Sequence, residues 1–354
     1  MAEETKIQWT HHTFNPWRGC TKVSAGCANC YAETLSARNP MTLGVWGPNG
    51  KRVVASESYW REPVKWNKAA AQAGERRRVF CASLADVFED WQGTMAAADG
   101  AALHVCAECG RWRTMEKICH GPTAHMPLTM DAVRQRLFDL IADTPHLDWL
   151  LLTKRPAVMR DWLGGPTLGF EGTGNVHHRT WPWPNVWLGV SVEDQKAAKE
   201  RIPVLLDVPA AVHFLSCEPL LGEVDVSDYL YEFKTYQKGQ RWPHGPVNWV
   251  IVGGESGHDS RIMRVEWARS LVKQCKDAGR ACFVKQLGEN ATTRLPGDES
   301  WPGHDGPTSP VQFTGDGFGN YRVSGLRDKK GGDPAEWPAD LRIREFPEVR
   351  DVGS

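Results

Sequence analysis

The sequence has no charge excess: 42 Lys plus Arg stand against 43 Asp plus Glu, a net charge of −1. That balance excludes the strongly basic surface of a protein held to nucleic acid mainly by phosphate neutralisation, while leaving room for a local basic groove. Long apolar runs are also missing. Trp149–Leu152 and Val250–Val252 fall far short of the roughly 20 residues a membrane helix needs, so no transmembrane segment and no membrane partner are expected. The N-terminus, Met1-Ala2-Glu3-Glu4-Thr5-Lys6, opens acidic and lacks the apolar stretch of a secretory signal. The expected location is therefore cytoplasmic and reducing, where ten cysteines do not read as a disulfide framework. There is no solenoid-type repeat, and 41% hydrophobic with 24% charged residues excludes disordered and fibrous classes. A chain of 354 residues fits one large domain with insertions or two small ones, at about 100–200 residues per domain.

Short apolar, β-branched or aromatic runs recur, most followed by a stretch of helical character. They are Arg78–Ala82, Leu147–Leu152, Val186–Val190, Ala211–Leu215, Val247–Val252 and Arg280–Val284, with a further strand expected to lead into Cys20. Runs this apolar read as parallel strands covered on both faces. Charged or hydroxylic residues follow them: Ser83 to Asp86, Thr153-Lys154-Arg155-Pro156, Ser191 to Asp194, Ser216-Cys217-Glu218-Pro219, Gly253-Gly254-Glu255-Ser256 and Lys285-Gln286-Leu287-Gly288. In an α/β barrel such strand ends converge on the face that carries the active site; the plainer alternative is that they start loops and cap helices, as Ser191 and Asp194 would. The expected organisation is a barrel over residues 1–290, inserts at 93–127, 157–185 and 225–246, and a loosely structured C-terminal extension over 291–354 packed against the barrel. Most of the seventeen tryptophans read as packing residues. Base stacking is the second reading for Trp181 and Trp183.

Two cysteine constellations carry chemistry. Gly19-Cys20-Thr21-Lys22-Val23-Ser24-Ala25-Gly26-Cys27-Ala28-Asn29-Cys30 sets three thiols in a Cx6Cx2C loop with no fourth nearby. Structural zinc takes four protein ligands and iron–sulfur clusters normally take four cysteines, so three point to a cluster with one iron open to a ligand. The second constellation is Cys106, Cys109, Cys119 and His125, with His104 and His120 competing for the fourth place. It reads as a zinc knuckle that would let a short insert fold. Cys81, Cys217, Cys275 and Cys282 read as buried thiols.

The stretches Ile7-Gln8-Trp9-Thr10, Phe14-Asn15-Pro16-Trp17, Gly19 to Ser24, Cys27 to Glu33, Ser83 to Phe88, Leu151 to Pro156, Gly189 to Glu193, Ser216 to Leu221, Gly253 to Ser256 and Lys285 to Gly288 resemble the phage-associated gene-product thirty-seven/sixty-eight family, which is related to radical S-adenosylmethionine (SAM) enzymes. The resemblance covers roughly residues 5–290 outside the inserts. It implies an α/β fold, a partial (β/α) barrel of the radical SAM type with inserted segments. It also implies a 4Fe-4S cluster on Cys20, Cys27 and Cys30, reductive cleavage of SAM, and an electron donor such as a flavodoxin or ferredoxin. By the same analogy Ser83 and Asp86, Ser191 and Glu193, with Tyr31 beside the loop, would hold SAM. A departure bears on SAM geometry: most radical SAM enzymes use Cx3Cx2C with an aromatic before the third cysteine, whereas here Asn29 stands there and Tyr31 follows Cys30.

The expected activity is thus radical SAM chemistry on a polar substrate, with a modified pyrimidine in phage-type DNA, or a nucleotide, as the substrate. Glu218, Glu255, Lys154 and Lys285 are the catalytic candidates, with Arg155 and Gln286 as further substrate contacts; salt bridges among these residues are the alternative. Two other classes stay open: a non-catalytic nucleic-acid-binding protein with structural Fe–S and zinc sites, and a metal-dependent barrel hydrolase with strand-end carboxylate ligands.

Overall fold

The computed structural model describes residues 5–120, 124–164, 181–234, 240–294, 301, 311–317 and 319–348. The protein has an α/β fold built on a seven-stranded parallel sheet, as expected for a partial (β/α) barrel. Its strands, numbered by themselves, are β1 (His12–Thr13), β2 (Arg77–Cys81), β3 (Leu147–Thr153), β4 (Val186–Ser191), β5 (Val212–Cys217), β6 (Trp249–Gly253) and β7 (Ala281–Gln286), and they lie side by side in chain order. Parallel neighbours need crossovers. These include the helices α1 (Tyr31–Arg38) and α2 (Glu62–Ala73) before β2, α3 (Met130–Ala142), α4 (Pro156–Leu163), α5 (Gln195–Leu206), and α6 (Val265–Asp277) before β7. Every residue of β4, β5 and β6 is buried, which is why these segments read as unbroken apolar runs. Thr129 caps α3 by accepting from Ala132 N at 3.2 Å, and Asp194 caps α5 by accepting from Ala197 N at 2.8 Å.

By its internal contacts the chain forms two compact units, Met1–Trp187 and Leu188–Ser354. In the first, the edge of the sheet is His12–Thr13 and not a strand running into Cys20. Pro16 interrupts the ladder because it has no N–H, and Trp17–Arg18 instead pairs antiparallel with Val53–Val54. Trp181 and Trp183 are buried and pack on each other at 5.8 Å and on Phe138 at 6.4 and 6.0 Å, so they belong to the core and are not a base-stacking platform. The insert expected from residue 157 begins inside α4, and its residues 165–180 lie outside those described. The 93–127 segment carries an antiparallel sheet with Leu103–Cys106 between Trp112–Thr114 and His125–Pro127.

In the second unit the expected 225–246 insert holds a short helix at Ser227–Leu230 and a hairpin of Phe233–Lys234 with Gln240–Arg241. The C-terminal segment is not a loose extension among its described residues. Ala291–Thr293, Tyr321–Ser324 and Gln312–Gly315 join Met263–Arg264 in a four-stranded sheet, and Trp337 and Leu341 are fully buried. Backbone bonds from Val284 N to Ile343 O and from Glu345 N to Cys282 O, each 2.9 Å, line the chain end along β7. Short strands among Gly and Asp residues leave no periodicity to read.

His213, in β5, is 1% exposed and its Nε2 lies 2.7 Å from Val208 O, which fixes the neutral Nε2–H tautomer as donor. Burial lowers its pKa to about 4. The unfolded chain takes up this proton near pH 6.5, so stability should fall as the pH drops from about 6.5 to about 4. Urea unfolding at pH 7 and pH 5 should show a smaller loss for His213→Gln than for wild type; equal losses would contradict the assignment.

Candidate metal centres

The Cx6Cx2C loop is shaped by its backbone. Gly19 has φ +105°, and a Cβ there would sit 2.7 Å from Lys51 O, so the turn before Cys20 requires glycine. Cys27 closes the short 3-10 turn Ala25–Cys27, and Cys30 stands at the N-cap of α1 without a side-chain capping bond. All three cysteines are half-buried as residues. The loop is sewn to the segment that follows β2: Gly19 N donates to Leu84 O at 3.1 Å, and Tyr31 Oη donates to Ser83 O at 2.8 Å. The Ser83 hydroxyl faces the Asn15 amide, and Leu84 N donates to Asn15 Oδ1 at 2.7 Å.

Beneath the loop lies a network of four charges. Arg52, with no exposed surface, donates Nε and Nη2 to the two oxygens of Glu89, each at 2.8 Å. Its remaining N–H groups reach the carbonyls of Val45, Gly47 and Gly50 and the Thr21 hydroxyl, at 2.8–3.1 Å. Arg155, at the end of β3, donates to Asp86 Oδ2 at 2.8 Å and to Thr21 O at 2.6 Å, with Cys20 Sγ at 3.8 Å and Glu89 at 3.7 Å. Asp86 also accepts from Thr153 Oγ1, Lys154 N and Phe88 N. Burial first, then Asp86 and Glu89, push the Cys20 thiol up to about 12, while Arg155 pulls the other way. Burial works against the charge on Arg155, yet Asp86, Cys20 and Glu89 hold it above the usual arginine range.

The second constellation is gathered at one end of the inserted sheet. Gly110, with φ +68°, lets the chain turn back from Cys106, whose N–H bonds Arg111 O at 3.0 Å. Cys109 Sγ lies 3.3 Å from Cys119 Sγ, and Cys106 Sγ 3.2 Å from His120 Nδ1; the four ligand atoms are mutually within 4.8 Å. A tetrahedral zinc with Zn–S near 2.3 Å brings its sulfurs to about 3.8 Å apart, so these side chains are spaced for a single ion. Among the described residues no other group of three or more such ligands is gathered in this way, Cys20, Cys27 and Cys30 included. The fourth place expected of His125 goes to His120, and His125 Nε2 stands 3.8 Å from Cys119 Sγ. Glu108 holds His120 Nε2 at 3.3 Å, leaving Nδ1 turned to the thiols. Crowding by the neighbouring thiols, Cys109 first, pushes Cys119 up to about 11. A bound cation would remove that proton.

The other expected site residues are mostly engaged with partners. In the first unit, Ser83, Asp86, Lys154 and Arg155 lie at the ends of β2 and β3 as described. In the second, Ser191 is buried and its carbonyl accepts from Arg201, whose guanidinium also binds both oxygens of Glu193 at 2.7 and 3.2 Å. Glu193, expected to help hold SAM, thus sits in a buried ion pair with Arg201. Glu255 accepts from Arg261 N, Nε and Nη2 at 2.8, 3.0 and 2.7 Å. Glu218 binds Lys285 Nζ at 2.8 Å and accepts from Ser216 Oγ at 3.3 Å; Gly253 leaves room for it, since a Cβ there would lie 2.7 Å from Glu218 Oε1. Gln286 Nε2 donates to Gly254 O at 2.7 Å. Arginines 201 and 261 therefore occupy two of the carboxylates that a hydrolase would need as ligands. Arg52, Glu89 and these two arginines went unread in the sequence because nothing in their spacing marks one as another's partner.

A family described as "Protein of unknown function (DUF5131)" matches residues 4–117 and 107–316. It is the family historically named for phage gene products thirty-seven and sixty-eight. No curated protein and no solved structure matches the chain.

Replacing one member of a buried ion pair leaves the other charge uncompensated, at a cost of about 3–5 kcal/mol. Arg52→Met should lose about that much in urea unfolding, and a loss below about 1 kcal/mol would contradict the central role given to Arg52. For the inserted sheet, Cys106→Ser and Cys109→Ser should abolish zinc binding. Glu108→Ala should weaken it about 10–100-fold, as loss of a histidine's outer partner does. Competition with a chromophoric chelator measures both, and unchanged affinity in the Glu108 variant would remove its orienting role.

Proposed function

For a chain that belongs to the DUF5131 family, we propose an iron–sulfur enzyme of the radical SAM kind, with a structural zinc site on the inserted sheet. One observation carries the reading: the three-cysteine loop is fastened by Ser83, Leu84 and Arg155 to the C-terminal ends of β2 and β3, the end at which (β/α) barrels carry their chemistry. The donor set fits. Three soft sulfur donors on one glycine-turned loop suit an iron–sulfur cluster.

A 4Fe-4S cluster held there, with SAM at its open iron, would on one-electron reduction supply a 5'-deoxyadenosyl radical. The chain's own residues do the rest. Tyr31 is fixed through its hydroxyl while its ring stays 58% exposed beside Cys30. Lys154 brings positive charge to the same strand ends; within the second unit, the partly exposed Glu218–Lys285 pair bridges the ends of β5 and β7. The inserted sheet keeps its shape through the metal ligands and through Arg136, which lies 4.5 and 4.6 Å from the rings of Trp60 and Trp112 and bonds Glu57 through two nitrogens. A DNA base as substrate is supported by the family resemblance, without the tryptophan platform.

Anaerobically purified protein should contain iron and sulfide, and should form 5'-deoxyadenosine and methionine from SAM after reduction. Alanine at Cys20, Cys27 or Cys30 should abolish both. Full iron and sulfide in the triple variant would sink the assignment. Mass spectrometry of nucleosides from DNA of expressing cells tests the substrate: turnover of SAM on a small metabolite with every nucleoside unchanged would exclude DNA.

A further inference from the structure

Arg155 is held in place from both ends. Its N–H donates to Thr153 Oγ1 at 2.8 Å, and Pro156 follows as the first residue of α4, so its backbone is fixed at the close of β3. Its side chain, 12% exposed, runs under the cysteine loop. There the guanidinium meets four groups: Asp86 at 2.8 Å, Thr21 O at 2.6 Å, Cys20 Sγ at 3.8 Å and Glu89 at 3.7 Å. Glu89 is already paired on its other side with Arg52. Two carboxylates and two guanidinium groups therefore cancel around Cys20, and of the two cations only Arg155 points a donor at the sulfur.

A thiolate-ligated cluster is anionic and gains one further negative charge when reduced. A fixed cation with an N–H aimed at a ligand sulfur stabilises the reduced form more than the oxidised form, and hydrogen bonds to sulfur are among the main determinants of such potentials. We propose that Arg155 is a positioning residue of the cysteine site, which seats Cys20 and raises the reduction potential of an iron–sulfur cluster bound there. The inference rests on the iron–sulfur reading above. The step concerned is the transfer of one electron from a low-potential one-electron donor, which is oxidised, to the cluster, which is reduced; no bond forms or breaks. Asp86 keeps the guanidinium in register and Thr21 O fixes the angle at which it meets the sulfur. Arg155 thus acts on the metal site and not on substrate, the role its sequence position led us to expect.

The test is a reductive titration of anaerobically reconstituted full-length protein, followed by electron paramagnetic resonance, for wild type, Arg155→Lys and Arg155→Gln. Lysine keeps the charge but loses the fork, so its midpoint should move to more negative values. Glutamine should move further, by at least tenfold in the reduced-to-oxidised ratio at fixed potential, which is 59 mV for one electron. If the Gln variant does not fold, the Lys variant decides. A lowered melting temperature with an unmoved midpoint would make Arg155 a structural anchor and overturn the proposal alone. Wild-type protein that takes up no iron and sulfide would overturn the iron–sulfur reading, and the proposal with it.

Discussion

The bidentate pair between Arg52 and Glu89 is the constraint around which the first unit's candidate site is arranged. A buried pair of this kind contributes little net stability when intact and costs a great deal when broken, so its value lies in what it fixes. Arg52 gathers the carbonyls of Val45, Gly47 and Gly50, which gives the segment after α1 its course, and holds Thr21 beside Cys20. Glu89 in turn faces Arg155, and Arg134 donates to the carbonyls of Val87 and Glu89 from α3. The loop that presents the thiols is therefore shaped by polar groups arriving from several crossovers, in a region where Val23 of the loop and Leu35, Met41 and Val45 after it stay exposed.

The inserted sheet shows a different solution. Its three strands have few buried residues, Cys106 and His125. Too small to bury a core, such a segment needs a staple. Its ligand group is gathered at one end, and Arg136 of α3, between the rings of Trp60 and Trp112, ties the Trp112 strand to that helix.

Much of this architecture was legible in the sequence, and the rest was hidden for identifiable reasons. Strands β2 to β7 could be placed within two residues because their apolar runs are unbroken and end in polar groups. The three ligand cysteines of the insert stood out by spacing. The choice between His120 and His125 did not, since it depends on Glu108, which meets His120 Nε2 and which spacing does not encode. Trp181 and Trp183 pack as large aromatics usually do, but their partner, Phe138 of α3, is one that no local pattern announces. Glu193 and Glu255 looked available because their partners, Arg201 and Arg261, follow eight and six residues on, spacings that mark no pair before the chain folds.

The reach of Arg155 has a bearing on biosynthesis. It meets Cys20 across 135 residues of chain, which ribosomes making about 5–20 residues per second cover in roughly 7–27 s. During that interval the three thiols have been made but their seat has not. The ligands of the inserted sheet, from Cys106 to His120, emerge almost together and need only a local hairpin to meet. The group encoded second is thus the first able to gather, and the loop encoded first lacks the Arg155 contact to Cys20 until β3 has been synthesised and docked.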